Sequence, residues 1–522
     1  MTPTRARAGL AGAAAVIAVL TIVARIAGFG RLLVFLRAVG EDGLANVYNA
    51  ANSVPNVVFE LVAGGALASL VVPLLAGAVD AGDRQRVSAV ASALLTWVLA
   101  LTVPLAVLVA LLAGPVSGLF HFEPDEQLVV ARMLRIFAPQ LPLYGIGIVL
   151  TGVLQAHHRF AWPVIAPLLS SVTVMGAYLS YALVDGARSG VAGLSRTGEL
   201  ILAGGTTLGV VVLALCLLIP LRRLRLRPTL SFPGDEGRQA LRLGWAGAVT
   251  VGAQQLVLAA VLSVAADGPL TRYMAAQTVF LLPWAVLAVP VATAVYPRLA
   301  AAFARRDEES FTAALAPAAR SAMLLACLGA AALAALAQPA AFLISTPAAA
   351  PAIVGFAPGL LGYTLFALLS RALYARGATR AAALPTAAGW GLAAVAVLGF
   401  TTVLDGPTEL AGLGAANAIG MSVIGLLLVL GVRRHAGPEA LSGLLRASVV
   451  GIVAAAVAGG AGWGVVAALR HAFGGTPGVW GSLLQGMLGG VVVAVAFAAV
   501  VHPFDRRYLR SLVSKLPGRD RT

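Results

Sequence analysis

The heptapeptide Tyr48-Asn-Ala-Ala-Asn-Ser-Val54 recurs in the second half of the chain as Tyr273-Met-Ala-Ala-Gln-Thr-Val279. Three further pairs of similar segments follow in the same order: Val71-Val-Pro-Leu-Leu-Ala76 with Val295-Tyr-Pro-Arg-Leu-Ala300, Phe137-Ala-Pro-Gln-Leu-Pro-Leu-Tyr144 with Phe356-Ala-Pro-Gly-Leu-Leu-Gly-Tyr363, and Leu154-Gln-Ala-His157 with Leu373-Tyr-Ala-Arg376. All four pairs are separated by about 220 residues, as expected of an internal duplication. The sequence therefore predicts two similar halves.

Apolar runs long enough to cross a bilayer occur along the whole chain. Of its 522 residues, 60% are hydrophobic and only 11% are charged, and the mean hydropathy is +0.92. Soluble domains carry roughly a quarter charged residues because their surface faces water. The composition therefore predicts an all-α integral membrane protein and leaves no room for a soluble domain of any size.

The apolar runs and the loop charges together predict the number of spans and their orientation. Arginine-rich loops alternate with acidic loops, so the positive-inside rule places both termini in the cytoplasm, which requires an even number of spans. The first two spans are long and are expected to be tilted or broken, with Gly28, Gly30 and Pro55 as the break points. We predict about fourteen spans, at 9–37, 45–78, 86–113, 128–156, 162–184, 199–220, 240–266, 270–303, 313–338, 348–376, 382–404, 411–432, 443–469 and 480–502.

The repeat and the spans together define a domain organisation. Six spans, an even number, separate the two copies, so the halves should point the same way and be related by a pseudo-twofold axis along the membrane normal. The transport pathway is expected between them. We predict an N-terminal lobe at 1–227, a C-terminal lobe at 228–435, and two extra helices with a basic cytoplasmic tail at 436–522.

Charged residues within the spans are the first candidates for a functional site, because a charge in hydrocarbon is costly and usually faces a cavity or a partner. The first span carries Arg25 and Arg31, and the second carries Glu60. A bend at the glycines between the two arginines would turn both toward one cavity, where they would bind an anionic, phosphorylated substrate. The alternative is that both pair with Glu60 and hold the helices together. Arg132, near the end of a span, is expected to snorkel to the interface.

Uncharged polar residues concentrate in spans 2, 7 and 8. Equivalent helices of the two halves would face each other, so these side chains are candidates for lining the same cavity. Hydrogen bonding between helices is the alternative role for each of them. The candidate substrate-binding residues beyond the charged ones are Asn46, Asn52, Gln255 and Gln277.

Several function classes lack support in the sequence. The net charge of +15 is scattered through short loops, without the aromatic-studded basic face typical of nucleic-acid binding. Cys216 and Cys327 lie in apolar runs, as small buried hydrophobes do, and form no metal or disulfide motif. No enzymatic motif and no cofactor motif occurs, so we predict a transporter without catalytic residues, metal or cofactor. A polyprenyl-phosphate-dependent membrane enzyme and a membrane scaffold protein are the alternatives from other classes.

Four groups of segments resemble the MurJ (MviN) lipid II flippase family of the multidrug/oligosaccharidyl-lipid/polysaccharide exporter superfamily. The resemblance covers essentially the whole chain, including the two extra helices. The segments are Ala24-Arg-Ile-Ala-Gly-Phe-Gly-Arg31; Val54-Pro-Asn56 with Gly65-Ala66 and Val72-Pro73; Gly152-Val-Leu-Gln155 with Arg159-Phe160, Pro163 and Ala166-Pro167; and Tyr374-Ala-Arg376 with Thr379.

The resemblance implies a central cavity lined by helices 1, 2, 7 and 8, and alternating access. It implies export of lipid II, the undecaprenyl-pyrophosphate-linked peptidoglycan precursor, across the bacterial plasma membrane. The two arginines that this family uses in its first helix match Arg25 and Arg31. We therefore expect a monomer whose partners are the lipid-linked anionic substrate and membrane lipids, with cell-wall synthesis proteins as further candidates.

Some positions differ from the family pattern. Asn46 replaces a common acid, Phe59 an arginine, Gly64 a glutamate, and Gln277-Thr278 an Asp-Arg pair. The expected cavity is therefore less cationic than in better-known members. A paralogous exporter of another lipid-linked or amphiphilic molecule accordingly stays open as an alternative.

Overall fold

The computed structural model describes residues 3–61, 71, 74–75, 78–79, 81–157, 159–222, 226–227, 229, 234–265, 268–475 and 478–503. These residues form helices and connecting turns without any strand. The α-helices of the first half are α1 Pro3–Ala38, α2 Leu44–Phe59, α3 Arg84–Leu111, α4 Ala113–Ser117, α5 Pro124–Phe137, α6 Gln140–Ala156, α7 Ala161–Val184, α8 Arg196–Cys216 and α9 Gly234–Ala265. Those of the second half are α10 Leu270–Pro283, α11 Val289–Ala304, α12 Glu308–Ala335, α13 Ala337–Leu343, α14 Ala350–Phe356, α15 Gly359–Ala375, α16 Thr379–Thr401, α17 Pro407–Ala436, α18 Leu444–Ala472 and α19 Val479–Val501.

The helices confirm a polytopic membrane protein. Within the described residues, 12 helices are long and apolar enough to cross a membrane, or 13 if a bent pair counts as one span. Each predicted span except the second overlaps one of these helices or the bent pair. The second falls partly on residues outside the described ranges, so the count of fourteen stays unconfirmed. Large apolar side chains such as Leu183, Leu445 and Trp480 are more than three-quarters exposed, as lipid-facing residues are.

The chain divides into two compact units, residues 1–271 and 272–522. In the first unit, α1 packs on α7, α7 on α8, and α3 on α6. In the second unit, α17 packs on both α15 and α16, while α18 packs on α12 and α19. The lobe boundaries predicted from the sequence stay a prediction.

The two units repeat the same local architecture. Asp83 caps the N-terminus of α3 by accepting a hydrogen bond from the Arg86 amide, and Asp307 caps α12 by accepting one from the Ser310 amide. Each of these long helices is followed after one residue by a short helix, α4 or α13. The sequence duplication is therefore a structural one.

The repeated Phe-Ala-Pro segments explain a helix break that we did not predict. Spans 4 and 10 were expected to be continuous, but the first is divided between α5 and α6 and the second between α14 and α15, which meet at 55°. Both breaks fall where proline removes an amide donor and disfavours the helical conformation of the residue before it. At each break the phenylalanine ring packs against the tyrosine of the repeated heptapeptide. The Tyr48 and Phe137 ring centroids lie 5.6 Å apart, and those of Tyr273 and Phe356 lie 5.4 Å apart.

The break points predicted within the first two spans are wrong, because the helices continue through them. The helix α1 continues without interruption through Gly28 and Gly30, and α2 continues through Pro55. Irregularity begins only at Glu60 and Leu61, which are π-helical. In lipid every backbone amide must be bonded internally, so isolated glycines do not suffice to end a helix.

Candidate substrate site in the first unit

Arg31 lies on α1 among polar side chains of three neighbouring helices. Its guanidinium is exposed and interacts electrostatically with the hydroxyls of Tyr48, Tyr144 and Tyr178. These tyrosines belong to α2, α6 and α7; Tyr48 and Tyr178 are buried, and Tyr144 is half-buried. Arginine keeps its charge even in such surroundings, and its planar fork suits carboxylate or phosphate oxygens. This corner of the first unit therefore presents an accessible cation in a polar setting.

A chain of hydrogen bonds holds Tyr144 in place. Its hydroxyl donates to Gln140 Oε1 at 2.8 Å, and Gln140 Nε2 donates to Thr207 Oγ1 at 3.1 Å. The Thr207 hydroxyl in turn donates to the Ile136 carbonyl oxygen at 3.0 Å, next to the break between α5 and α6. The Phe59 ring packs on Tyr144 with centroids 5.5 Å apart. The helix break thus orients one wall of the site.

Asn52 and Asn56 continue this wall along α2. Asn56 Nδ2 donates to the Asn52 carbonyl oxygen at 2.8 Å. The Asn52 Oδ1 atom is buried and has no hydrogen-bond partner among the described residues. A buried acceptor without a donor is costly, so this atom suits a donor supplied by a ligand.

Tyr48 is the centre of a buried cluster behind Arg31. Its hydroxyl lies 2.9 Å from that of Tyr178 and 2.6 Å from Thr206 Oγ1 on α8. The equivalent Tyr273 of the second unit accepts a hydrogen bond from Asn417 Nδ2 at 2.9 Å, on α17. The repeated tyrosine is therefore anchored to α8 in the first unit and to α17 in the second.

Arg25 and Glu60 stand apart from this cluster. Arg25 is exposed, and six residues along a straight helix correspond to roughly 600° of rotation, so it lies on a different face from Arg31. Glu60 is half-buried just beyond α2. In the part of the chain that the structure describes, neither arginine forms an ion pair with Glu60. The alternative that the arginines of span 1 pair with Glu60 of span 2 thus gains no support.

Asn46 contacts a turn rather than open space. It is 1% exposed, its Nδ2 donates to the Gly268 carbonyl oxygen, and its Oδ1 accepts from the Thr271 amide at 2.9 Å. Asn49 donates to the Thr271 hydroxyl at 2.9 Å. Both asparagines therefore tie α2 to the turn before α10, which favours the interhelical alternative. A role for Asn46 in substrate binding stays a prediction.

Gln255 on α9 and Gln277 on α10 are both half-buried. No hydrogen bond of either side chain occurs within the described residues. Each side-chain amide can therefore donate to and accept from a ligand. Substrate binding by either residue stays a prediction.

The carboxylate of Glu199, at the start of α8, is buried and was not predicted from the sequence. Glu199 is 1% exposed and accepts hydrogen bonds from Arg132 Nε at 2.9 Å and from Arg196 Nη1 at 2.7 Å. We expected Arg132 to snorkel to the interface; its guanidinium is bound by this carboxylate, and snorkelling stays a prediction. Glu199 lies at the edge of an apolar run, where the sequence alone predicts an acid in contact with water. Its contact with Arg132 is formed only in the folded chain.

The site offers guanidinium, amide and hydroxyl groups. Within the described residues, no group of three or more His, Cys, Asp or Glu side chains is placed to hold a metal ion. Both cysteines are free and buried.

Comparison with known proteins agrees with this architecture. The sequence profile of the family described as "Lipid II flippase MurJ" matches residues 36–482. The lipid II flippase MurJ of Burkholderia cenocepacia is 25% identical, over 84% of this chain and 87% of that protein. The chain spans about half the length of three further curated relatives that it matches.

Two solved structures share the fold. An inward closed conformation of lipid II flippase MurJ has a TM-score of 0.72 at 16% identity, covering 95% of this chain and 99% of that one. An inward-facing multidrug resistance MATE family transporter of the MOP superfamily has a TM-score of 0.61 at 16% identity, covering 82% and 95%. With the profile matching most of its length, this chain belongs to the lipid II flippase MurJ family.

Proposed function

We propose that this protein moves lipid II, the undecaprenyl-pyrophosphate-linked peptidoglycan precursor, across the bacterial plasma membrane by alternating access. The observation that carries the proposal is Arg31, an exposed cation within a transmembrane helix that no described acid neutralises. Leaving such a charge unpaired in a membrane protein is costly, so it calls for an anionic ligand. A pyrophosphate supplies the matching oxygens.

The neighbouring side chains suit the remainder of such a substrate. Asn52 Oδ1, buried and without a described partner, can accept a hydrogen bond from a sugar hydroxyl or a peptide amide. Asn56 and Tyr144 continue the same wall, and both offer groups that donate and accept. Arg25, Asn46, Glu60, Gln255 and Gln277 complete the set of residues proposed to contact substrate at some stage of transport.

Transport of this kind needs no covalent step. We propose a monomer with both termini in the cytoplasm, whose arginine-rich loops carry the positive-inside signal. The lipid-linked substrate and membrane lipids are its proposed partners, and cell-wall synthesis proteins are further candidates.

Phe59 favours a second candidate, a paralogous exporter of another lipid-linked molecule. Its ring packs on Tyr144 at a position where the resemblance leads us to expect an arginine. A site with fewer cations would accept a substrate with less phosphate charge.

Complementation separates the two candidates. A bacterial strain depleted of its essential lipid II flippase should grow when this protein is expressed, and should fail to grow with Arg31→Ala at equal membrane abundance. An abundant wild-type protein that does not restore growth would favour the paralogue. Restored growth with Arg31→Ala would remove the observation on which the lipid II proposal rests.

A further inference from the structure

The first unit contains a cavity of about 1120 Å³ that is separate from the candidate substrate site. It lies between the N-terminus of α3, the turn after α6, and the segment that follows α8. Its volume is at the upper end of the range of ligand sites, roughly 300–1,000 Å³. All of its lining residues belong to loops or helix ends that the charge pattern assigns to the cytoplasmic side.

Basic residues dominate this cavity. Arg84, Arg159, Arg222 and Arg227 line it and are all exposed, and His157 is half-buried beside them. No acidic residue occurs among its described lining residues. The nearest acid in sequence, Asp83, uses its carboxylate to cap α3. Four guanidinium groups around one space repel one another, which an anion would relieve.

The internal repeat provides a control for this arrangement. In the second unit, α12 begins with Glu308 where α3 begins with Arg84, and Arg376 stands where the first unit has His157. Arg376 Nη1 and Nη2 donate to the Glu308 carboxylate at 2.7 and 3.0 Å. The duplicated position is therefore neutralised by its own side chains in the second unit and left cationic in the first.

The walls of the cavity are fixed by hydrogen bonds. Arg159 Nη1 donates to the Pro220 carbonyl oxygen at 2.9 Å, which joins the turn after α6 to the end of α8. The Arg227 amide donates to Ser92 Oγ at 3.0 Å, and the Thr229 amide donates to Thr96 Oγ1 at 3.1 Å. The segment that carries Arg227 is thus tied along α3. The half-buried Trp162 lies at the apolar part of the lining.

We propose that this cavity binds a phosphate-bearing anion, either the headgroup of an anionic phospholipid or free phosphate. Four guanidinium forks recognise phosphate oxygens through charge-assisted hydrogen bonds. Basic pockets between transmembrane helices on the cytoplasmic side are a recognised setting for phospholipid headgroups. None of the lining residues is among those proposed to contact the transported substrate.

Native mass spectrometry of the full-length protein in detergent tests the proposal. The probes are dioleoylphosphatidylglycerol, dioleoylphosphatidylcholine and inorganic phosphate. The site variant is Arg84→Gln with Arg222→Gln, and the matched control is Arg433→Gln with Arg434→Gln, which removes the same charge from exposed positions at the end of α17. We expect the site variant to weaken binding about twenty-fivefold, at about fivefold per arginine, and the control to change it less than about twofold.

A second variant keeps the test informative if the first one folds poorly. Arg84→Glu with His157→Arg reproduces in the first unit the ion pair that the second unit has. It should abolish binding while the melting temperature is retained.

Each outcome of these binding measurements either supports or overturns the proposal. Binding of phosphatidylglycerol alone, lost in the site variants, supports a lipid headgroup, and displacement of that lipid by inorganic phosphate supports free phosphate. Equal binding of phosphatidylcholine and phosphatidylglycerol would overturn the proposal, because the net negative charge would not matter. Equal loss in the control variant would overturn it as well, since general surface attraction would then explain the binding.

Discussion

Arg31 and Asn52 show at the residue scale how a membrane helix bundle can hold polar groups for a ligand. Beside the exposed guanidinium, the Tyr48 hydroxyl lies within hydrogen-bonding distance of the Tyr178 and Thr206 hydroxyls, so these dipoles are held in place without neutralising its charge. The Asn52 oxygen is enclosed but left without a donor. The anionic substrate that we propose, with its donor groups, would supply a partner for both groups.

Asn46 gives a prediction at the same scale. Asn46→Ala leaves the buried Thr271 amide without its acceptor, which should cost about 1–3 kcal/mol and lower the melting temperature of the purified protein. Asn46→Asp should also lower it, because a carboxylate oxygen would then face the Gly268 carbonyl oxygen. Gln254→Ala, on an exposed position of α9, is the control and should leave the melting temperature unchanged. Normal stability with lost transport in Asn46→Ala would instead assign Asn46 to the substrate.

The sequence was sufficient to single out Arg31 and Asn52, because polar residues in a hydrophobic run stand out against their surroundings. It was insufficient for Asn46 and Glu199. The partners of Asn46 lie 222 and 225 residues away, and those of Glu199 include Arg132, which is 67 residues distant. Whether a polar side chain has hydrogen-bond partners depends on such distant contacts, which a local sequence pattern does not contain.

At the scale of helices, close approach through small residues holds the second unit together. A Cβ atom at Gly362 on α15 would collide with the Met421 carbonyl oxygen on α17, and one at Gly425 would lie 2.8 Å from the Gly362 Cα atom. Helices in lipid associate largely through this kind of packing, since burial of apolar surface contributes little there.

We therefore predict opposite outcomes for the same substitution at two glycines. Gly362→Ala should separate α15 from α17 and lower the free energy of unfolding by about 1–3 kcal/mol or more. Gly391→Ala, on α16, should be neutral or slightly stabilising, because no described heavy atom lies within 4 Å of its added Cβ and alanine favours helix. Thermal unfolding of both purified variants measures the difference, and equal melting temperatures would contradict the packing account.

The positions of the helices were largely predictable, and their interruptions were not. Apolar runs delimit the spans because the bilayer requires a fixed length. The interruption at Ala357-Pro358 was marked only by a proline, and Pro55 lies within a helix that continues through it. A proline ends a helix only where neighbouring groups satisfy the freed carbonyl oxygens, which depends on the fold.

For the whole molecule, the orientation in the membrane is a direct prediction of the loop charges. Both native cysteines are buried, so a single introduced cysteine gives a clear labelling signal. Arg434→Cys and Asp405→Cys lie at opposite ends of α17 and are exposed. A membrane-impermeant thiol reagent should label Asp405→Cys in intact cells and Arg434→Cys only after permeabilisation. The reverse pattern would place both termini outside and contradict the topology.

The transport rate of lipid II in reconstituted vesicles tests the central claim most directly. A fluorescent lipid II, quenched from outside by an impermeant reductant, reports its movement between leaflets. Wild-type protein should accelerate this movement, Arg31→Ala should slow it by about one to two decades, and Arg31→Lys should restore part of the rate, because it keeps the charge but loses the fork. A wild-type protein that is well folded but leaves the rate of empty vesicles unchanged, or an Arg31→Ala variant as fast as wild type, would contradict the account.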